Sequence, residues 1–83
     1  MKNKELVRTV ANVTGLTDEE VKDVLRTTAE VVAESLSRDF ADVPLPGFGK
    51  FRPGVRWNSR MQRVCTASFL PSKPFRRAVD GSV

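Results

Sequence analysis

The apolar residues of this chain change their spacing once, near residue 42. Before that point they recur every three or four residues, as on one face of a helix. After it they alternate with other residues, as in a strand. We therefore predict an α+β fold in one domain over residues 1–83, with a helical part over 1–40 and a sheet part over 41–83.

Two helices are predicted in the first part. Residues 3–14 form a short amphipathic helix, which Gly15 ends. The second helix begins after Thr17, which with Glu20 matches a capping box, and its apolar stripe carries it to about residue 38. The acidic residues at its start suit the positive end of the helix dipole.

Three antiparallel strands and a last helix are predicted in the second part. The strands cover residues 42–46, 48–57 and 60–70. Asn58-Ser59 is the best candidate for the turn between the longer two. Pro53 predicts an edge position or a bulge, because proline has no N–H to donate to a neighbouring strand. Ser72 is the expected N-cap of the helix over 73–80.

Charge is distributed unevenly along the chain. Residues 1–49 carry six Lys/Arg against nine Asp/Glu, a net charge of −3, and residues 50–83 carry eight against one, a net charge of +7. Because Asp80 is the one acid in the second part, we expect most of its cations to be free of ion pairs within the chain. A field of this kind favours a polyanionic partner, above all nucleic acid.

The small size of the chain predicts a partner subunit. A domain of 83 residues has a marginal core, and such domains depend on disulfides, metals or self-association. One cysteine, Cys65, and no histidine leave no internal disulfide and no zinc site, so we expect self-association and no cofactor. An unpaired cysteine and the lack of an apolar run predict a cytoplasmic protein without a membrane anchor. Without histidine, paired carboxylates or a nucleophile motif, an enzyme is not expected.

Four segments together resemble one known family. They are Lys4-Glu5-Leu6-Val7, Thr14-Gly15-Leu16-Thr17, Val43 to Phe51 (VPLPGFGKF) and Phe69 to Val79 (FLPSKPFRRAV). With these motifs the chain resembles the HU/IHF family of bacterial histone-like DNA-binding proteins. The resemblance implies an intertwined homodimer, with helices as its base and a sheet as a saddle. Two β-ribbon arms would grip the minor groove of double-stranded DNA.

The chain departs from that family in its arm. The segment from Arg52 to Ser68 is shorter than the family's arm, and it lacks the Arg-Asn-Pro tip whose proline wedges between base pairs. The role of that wedging proline therefore cannot be assigned to any residue of this chain. The resemblance implies nucleoid-associated DNA condensation, and the truncated arm predicts weaker bending than in full-length relatives.

The residues expected to bind DNA are mostly cations of the second part. Arg52 and Arg56 share a strand face, Arg60 and Arg63 return on the partner strand, and the glycines of the GFG segment leave amides open to phosphate. The alternative is that these charges stay in solvent and only prevent the edge strands from aggregating with other molecules. The full set of candidates is Gly47, Gly49, Lys50, Arg52, Arg56, Trp57, Arg60, Arg63, Lys73 and Arg76.

The aromatic residues leave two interpretations open. Trp57 could stack on a base step together with Met61, or it could pack over Pro53 or Val55 and shield the hairpin. In contrast, we expect the four phenylalanines of the second part to lie in the core. They are Phe48, Phe51, Phe69 and Phe75.

Two functions follow from the sequence. The first is largely sequence-independent, architectural binding of double-stranded DNA by a homodimer. The alternative is a protein-interaction module that pairs with, or antagonises, a related HU-like chain, with Trp57 and Met61 as its apolar anchor.

Overall fold

The structure is a computed structural model that describes residues 1–81. Its elements are α1 (Asn3–Thr14), α2 (Asp18–Asp39), β1 (Val43–Leu45), β2 (Gly49–Trp57), β3 (Arg63–Pro71) and α3 (Lys73–Asp80). This order confirms the predicted α+β fold of two helices, a three-stranded antiparallel sheet and a short last helix. The chain divides into two compact units, Met1–Val31 and Val32–Val83.

The first unit has a small apolar core. Val7 and Ala11 of α1 are buried together with Val21 of α2. α1 ends where Gly15, in the left-handed region with φ 78°, donates its N–H to the carbonyl of Ala11 at 2.9 Å. The predicted boundary of α1 is therefore confirmed.

The start of α2 is a complete capping box. The N–H of Glu20 donates to Thr17 Oγ1 at 3.1 Å, and the N–H of Thr17 donates to Glu20 Oε1 at 3.0 Å. The backbone and side-chain hydrogen bonds with Thr17 lower the pKa of the Glu20 carboxyl, because they stabilise its charged form. The capping box predicted from the sequence is confirmed.

A tight turn joins β1 to β2 in the second unit. The N–H of Phe48 donates to the carbonyl of Leu45 at 3.0 Å, with Pro46 and Gly47 between them. Gly47 has φ 84°, which is the conformation that the third position of a type II turn requires. Proline before glycine is the sequence that this turn favours, so a local signal sets the pairing of β1 with β2.

Gly49 is required by a close approach of two strands. Its φ is 152°, and a Cβ at this position would collide with the carbonyl oxygen of Leu70 and lie 2.8 Å from Pro71 Cα. Gly49 pairs with Pro71 at the base of the ladder between β2 and β3. This glycine therefore serves the packing of the sheet.

The hairpin between β2 and β3 differs from the prediction. Trp57 pairs with Arg63, so a five-residue loop over 58–62 replaces the expected turn at Asn58-Ser59, and the strand begins three residues later than predicted. The reason is Asn58, whose Oδ1 accepts from the N–H groups of Arg60 and Gln62, both at 2.9 Å. Its amide also donates to Gln62 Oε1 at 3.0 Å. The side chain organises a wider loop that a two-residue turn could not hold.

The edge position predicted from Pro53 is confirmed in part. β2 is the middle strand in the order β1-β2-β3. β1 pairs only with the segment from Gly49 to Phe51, so at Pro53 the strand has β3 as its one neighbour. The missing N–H of the proline can therefore face the open side of the ribbon.

Four phenylalanines form an aromatic cluster, but the chain does not bury all of them. Ring centroids lie 5.5 Å apart for Phe48 and Phe75, 5.4 Å for Phe51 and Phe69, and 6.2 Å for Phe69 and Phe75. Phe48 and Phe69 are 48% and 41% exposed, so the prediction that both lie in the core is wrong for the single chain. Among the described residues of the second unit, Leu36 is the one buried apolar side chain, so this unit has no core of its own that covers the cluster.

The last helix is fixed at its start. Ser72 Oγ accepts from the N–H of Phe75 at 3.3 Å, which confirms Ser72 as N-cap. The N–H of Ser72 also donates to the carbonyl of Phe48 at 2.8 Å, linking α3 to the turn between β1 and β2. The sheet and α3 therefore meet at the aromatic cluster.

The two glycines of the GFG segment provide a matched test of this packing. Gly47→Ala should cost about 1–2 kcal/mol of unfolding free energy, because it adds only a left-handed alanine in open space. Gly49→Ala should cost a further ~1–3 kcal/mol, because its methyl group would overlap the backbone of β3. Urea unfolding followed by circular dichroism measures both. Equal losses would show that Gly49 is not a packing glycine.

Candidate nucleic-acid interface

The ribbon of β2 and β3 has two different faces. Side chains alternate along a strand, and directly paired residues point to the same side. The aromatic face therefore carries Phe51, Pro53, Val55, Trp57, Arg63, Cys65, Ala67 and Phe69. The basic face carries Lys50, Arg52, Gly54, Arg56, Val64, Thr66, Ser68 and Leu70.

The basic face combines cations with small polar groups. Lys50 lies two positions before Arg52 on β2, and Arg56 lies four positions after it, so all three share this face. The sequence predicted the shared face for Arg52 and Arg56. Thr66 lies opposite Gly54, and Ser68 lies opposite Arg52. Hydroxyl groups donate to phosphate oxygens as arginine and lysine do. The missing side chain at Gly54 leaves room for the Thr66 hydroxyl, which would lie 2.7 Å from a Cβ at that position.

Sequence reasoning did not select Thr66 and Ser68. The signal that finds them is the spacing of the two hydroxyl residues in β3, because Thr66 and Ser68 share the side of Arg52 once the register is known. Without that register, two hydroxyl residues in a strand carry no functional information.

Two of the candidate cations have an acidic partner. Arg52 Nε donates to Asp42 Oδ1 and Arg52 Nη2 donates to Asp42 Oδ2, both at 3.3 Å, and Lys50 Nζ lies 3.2 Å from Asp42 Oδ2. The expectation of cations without ion pairs therefore fails at these two of the eight late positions. Asp42 belongs to the acidic part of the sequence, but pairing of β1 with β2 brings it opposite Arg52.

Asp42 remains ionised among these cations. The hydrogen bond with Arg52, followed by that with Lys50, lowers the pKa of its carboxyl. Its side chain is 36% exposed, so solvent screens this attraction. The basic face is thus partly neutralised in the free chain.

Arg63 does not join the other arginines. It pairs with Trp57 and lies on the aromatic face, where its guanidinium carbon is 5.9 Å from the ring centroid of Phe40. Arg63 therefore lies on the partner strand, as predicted, but on the face opposite Arg52 and Arg56. The five-residue loop sets the register that pairs Arg63 with Trp57.

The tip of the ribbon is apolar, basic and preorganised. Trp57 is 63% exposed and Met61 is 78% exposed, next to Arg60 in the loop. Met61 has φ 61°, a left-handed conformation held by the hydrogen bond from its N–H to the carbonyl of Asn58 at 3.0 Å. The exposure of Trp57 counts against the interpretation that it shields the hairpin.

α3 presents a second group of cations. Lys73, Arg76 and Arg77 line a shallow pocket with Asp80. Within residues 1–81 no ion pair involves these three cations. Lys73 and Arg76 therefore remain candidates for contact with a polyanion.

The two candidate glycines differ. No atom lies within 4 Å of the position that a Gly47 side chain would occupy, so the turn is open to a ligand there. Gly49 is closed on that side by Leu70, Pro71 and Ser72. Packing within the sheet explains Gly49 without any phosphate.

Residues 1–81 show neither a cluster of metal ligands nor a membrane-spanning helix. Over residues 1–81, no group of three or more His, Cys, Asp or Glu side chains is placed to hold a metal ion. In the same part of the chain, no helix has both the length and the apolar character that crossing a membrane requires.

Comparison with known proteins identifies the family. The family model described as "Bacterial DNA-binding protein" matches residues 1–63, which is more than half of the chain. The match covers both N-terminal helices and the whole of β1 and β2, and it ends at the first residue of β3. No individual curated protein matches the chain. The chain therefore belongs to the HU/IHF family of bacterial DNA-binding proteins.

Proposed function

We propose that two copies of this chain form a homodimer that binds double-stranded DNA through the basic face, mainly at phosphates and with weak bending. Membership of the family supports architectural DNA binding in general. The observation that carries the finer proposal is the separation of the ribbon into an aromatic face and a basic face. A nucleoid location in the cytoplasm belongs to the same proposal.

The homodimer is supported by apolar surface that the chain does not bury. Among the described residues, only four apolar side chains are buried, namely Val7, Ala11, Val21 and Leu36. Phe48 and Phe69 of the aromatic cluster are exposed, as are Val24, Leu25 and Val31 along α2. Apolar surface of this extent marks an interface in a small soluble domain. A second copy offers the same surfaces in return, as two-fold symmetry requires.

The basic face is the natural side for DNA once the aromatic face is covered. If a partner subunit packs on the aromatic cluster, the opposite face of the same strands stays in solvent. Lys50, Arg52 and Arg56 then lie on one exposed surface, with Thr66 and Ser68 between and beside them. Such a surface contacts the sugar-phosphate backbone, which positions a protein without selecting bases.

The short ribbon supports weak bending. Beyond the part paired with β1, each strand extends only from Arg52 to Trp57 or its partner, about 20 Å at the rise of a β-strand. Its loop holds no proline that could enter a base step. We therefore propose a short footprint, with Trp57 and Met61 as the groups that reach the bases.

The exposed tip also favours a second function. Trp57 and Met61 are large, apolar and exposed, and such residues dominate binding energy at protein interfaces. The second candidate is therefore an interaction module that pairs with, or antagonises, a related HU-like protein. It differs from the first candidate in needing no contact between the basic face and DNA.

The dimer is tested by removing a ring from the aromatic cluster. Phe69→Ser should convert a particle of twice 9.2 kDa into monomer or unfolded chain, because Phe69 contacts both Phe51 and Phe75. Trp57→Ser removes an exposed aromatic residue outside the cluster and should leave the mass unchanged. Sedimentation equilibrium at several concentrations measures this. A wild-type protein that stays monomeric at micromolar concentration would refute the dimer.

The choice of face is tested by two arginines of equal charge. Affinity of the wild type for duplex DNA should fall by about 10³–10⁵-fold between 50 and 200 mM salt if 6–10 phosphates are neutralised. Arg56→Gln should weaken binding and reduce the salt slope by about 1 per chain. Arg63→Gln, on the opposite face, should have a smaller effect. Fluorescence anisotropy with labelled duplexes measures this, and equal losses would contradict the assignment of the face.

The tip carries its own probe, because Trp57 is the only tryptophan. Stacking on a base should quench its fluorescence when DNA is added, and Met61→Ala should leave that quenching in place while weakening binding. Unchanged emission at saturating DNA would exclude base contact by Trp57. Emission that responds instead to a purified HU-like protein, with no response to DNA, would favour the interaction module.

A further inference from the structure

One acidic residue, Asp42, lies beside the basic face of the ribbon. From residue 43 to residue 81, Asp80 is the only acid in the sequence, so Asp42 stands at the boundary of the basic part. It immediately precedes β1. Continuing the ladder in which Val43 pairs with Phe51 places Asp42 opposite Arg52 and on the side of Lys50. Asp42 is therefore a neighbour of the basic face.

The carboxylate is fully engaged with these two cations. Each of its oxygens accepts one hydrogen bond from the guanidinium of Arg52, at 3.3 Å, and Oδ2 also lies 3.2 Å from Lys50 Nζ. A guanidinium donates to planar oxygen pairs in the same manner whether they belong to carboxylate or phosphate. The fork that Arg52 gives to Asp42 is thus the fork that a DNA phosphate would use.

Arg56 provides the contrast on the same face. Within the part of the chain that the structure describes, it makes no ion pair, whereas Lys50 and Arg52 both do. A phosphate approaching Arg56 meets an unopposed cation. A phosphate approaching Arg52 meets a cation already neutralised and a carboxylate that repels it.

We infer that Asp42 restrains DNA binding by holding Lys50 and Arg52 in ion pairs that a phosphate must displace. The inference rests on the proposed function, because it concerns the same basic face. In the free protein Asp42 lowers the number of cations available to phosphate, and in the complex it adds a repulsive charge near the backbone. Its effect is weaker and more readily reversible binding than the count of basic residues indicates.

The test compares Asp42 with Asp23, an acid of the same type that holds one cation instead of two. Asp42→Asn removes the restraint, while Asp23→Asn makes the same change of net charge and frees Arg26 from its ion pair on α2. Asp42→Asn should raise affinity for duplex DNA by on the order of tenfold at 150 mM salt and steepen the salt slope by about 1–2 per chain. Asp23→Asn should change the slope little. Thermal melts confirm that both variants fold.

A double variant separates released cations from lost repulsion. Arg52→Gln should cost little affinity in the wild type, where Asp42 neutralises the guanidinium, and several times more in the Asp42→Asn background. Equal costs in both backgrounds would show that Arg52 is not held back by Asp42. Equal affinities and slopes for Asp42→Asn and Asp23→Asn would likewise overturn the inference.

A heparin column distinguishes failure of the inference from failure of the proposed function. If the wild type does not bind DNA, the proposed function fails, but elution from heparin still reports how many cations are free to meet a polyanion. Elution of Asp42→Asn at higher salt than Asp23→Asn supports the restraint. Elution of both at the same salt refutes it.

Discussion

The antiparallel pairing of β2 with β3 is the constraint on which the rest of the second unit depends. Strand side chains alternate with a period of two, so a slip of one residue between β2 and β3 would bring Arg52 and Arg56 to the same side as Phe69. Two local features hold the register. Gly49 allows β2 to lie against Leu70 and Pro71 at one end, and Asn58 closes the loop at the other. The functional surface is therefore a consequence of backbone geometry at the two ends of the ribbon.

Stability and function are linked through the aromatic cluster. A domain of this size buries few apolar side chains by itself, and the half-exposed rings of Phe48 and Phe69 are the surface that remains. In the proposed homodimer a second copy covers those rings, and the same association presents the basic face twice. Folding, association and DNA binding would then depend on one set of strands, so damage to the cluster would affect all three.

Charge that is segregated along a sequence need not be segregated in space. The acidic and basic parts of this chain meet where β1 pairs with β2, and Asp42 there neutralises part of the face that the sequence presents as purely cationic. Arg63 shows the converse, since it is a neighbour of the other arginines in sequence but lies near Phe40 on the opposite face. The family supplies the architecture, and these details modify how strongly its basic surface would bind.

The sequence by itself determined the elements whose signals are local. The capping box of Thr17 and Glu20, the N-cap at Ser72 and the change of apolar period each depend on residues within a turn or two of one another, and the structure confirms them. Only the tertiary structure decided which side chains share a face, which acid meets Arg52, and which rings stay exposed. Those outcomes depend on strand register and on contacts between residues that are distant in sequence. The free energies of such contacts cannot be inferred from a short stretch of the chain.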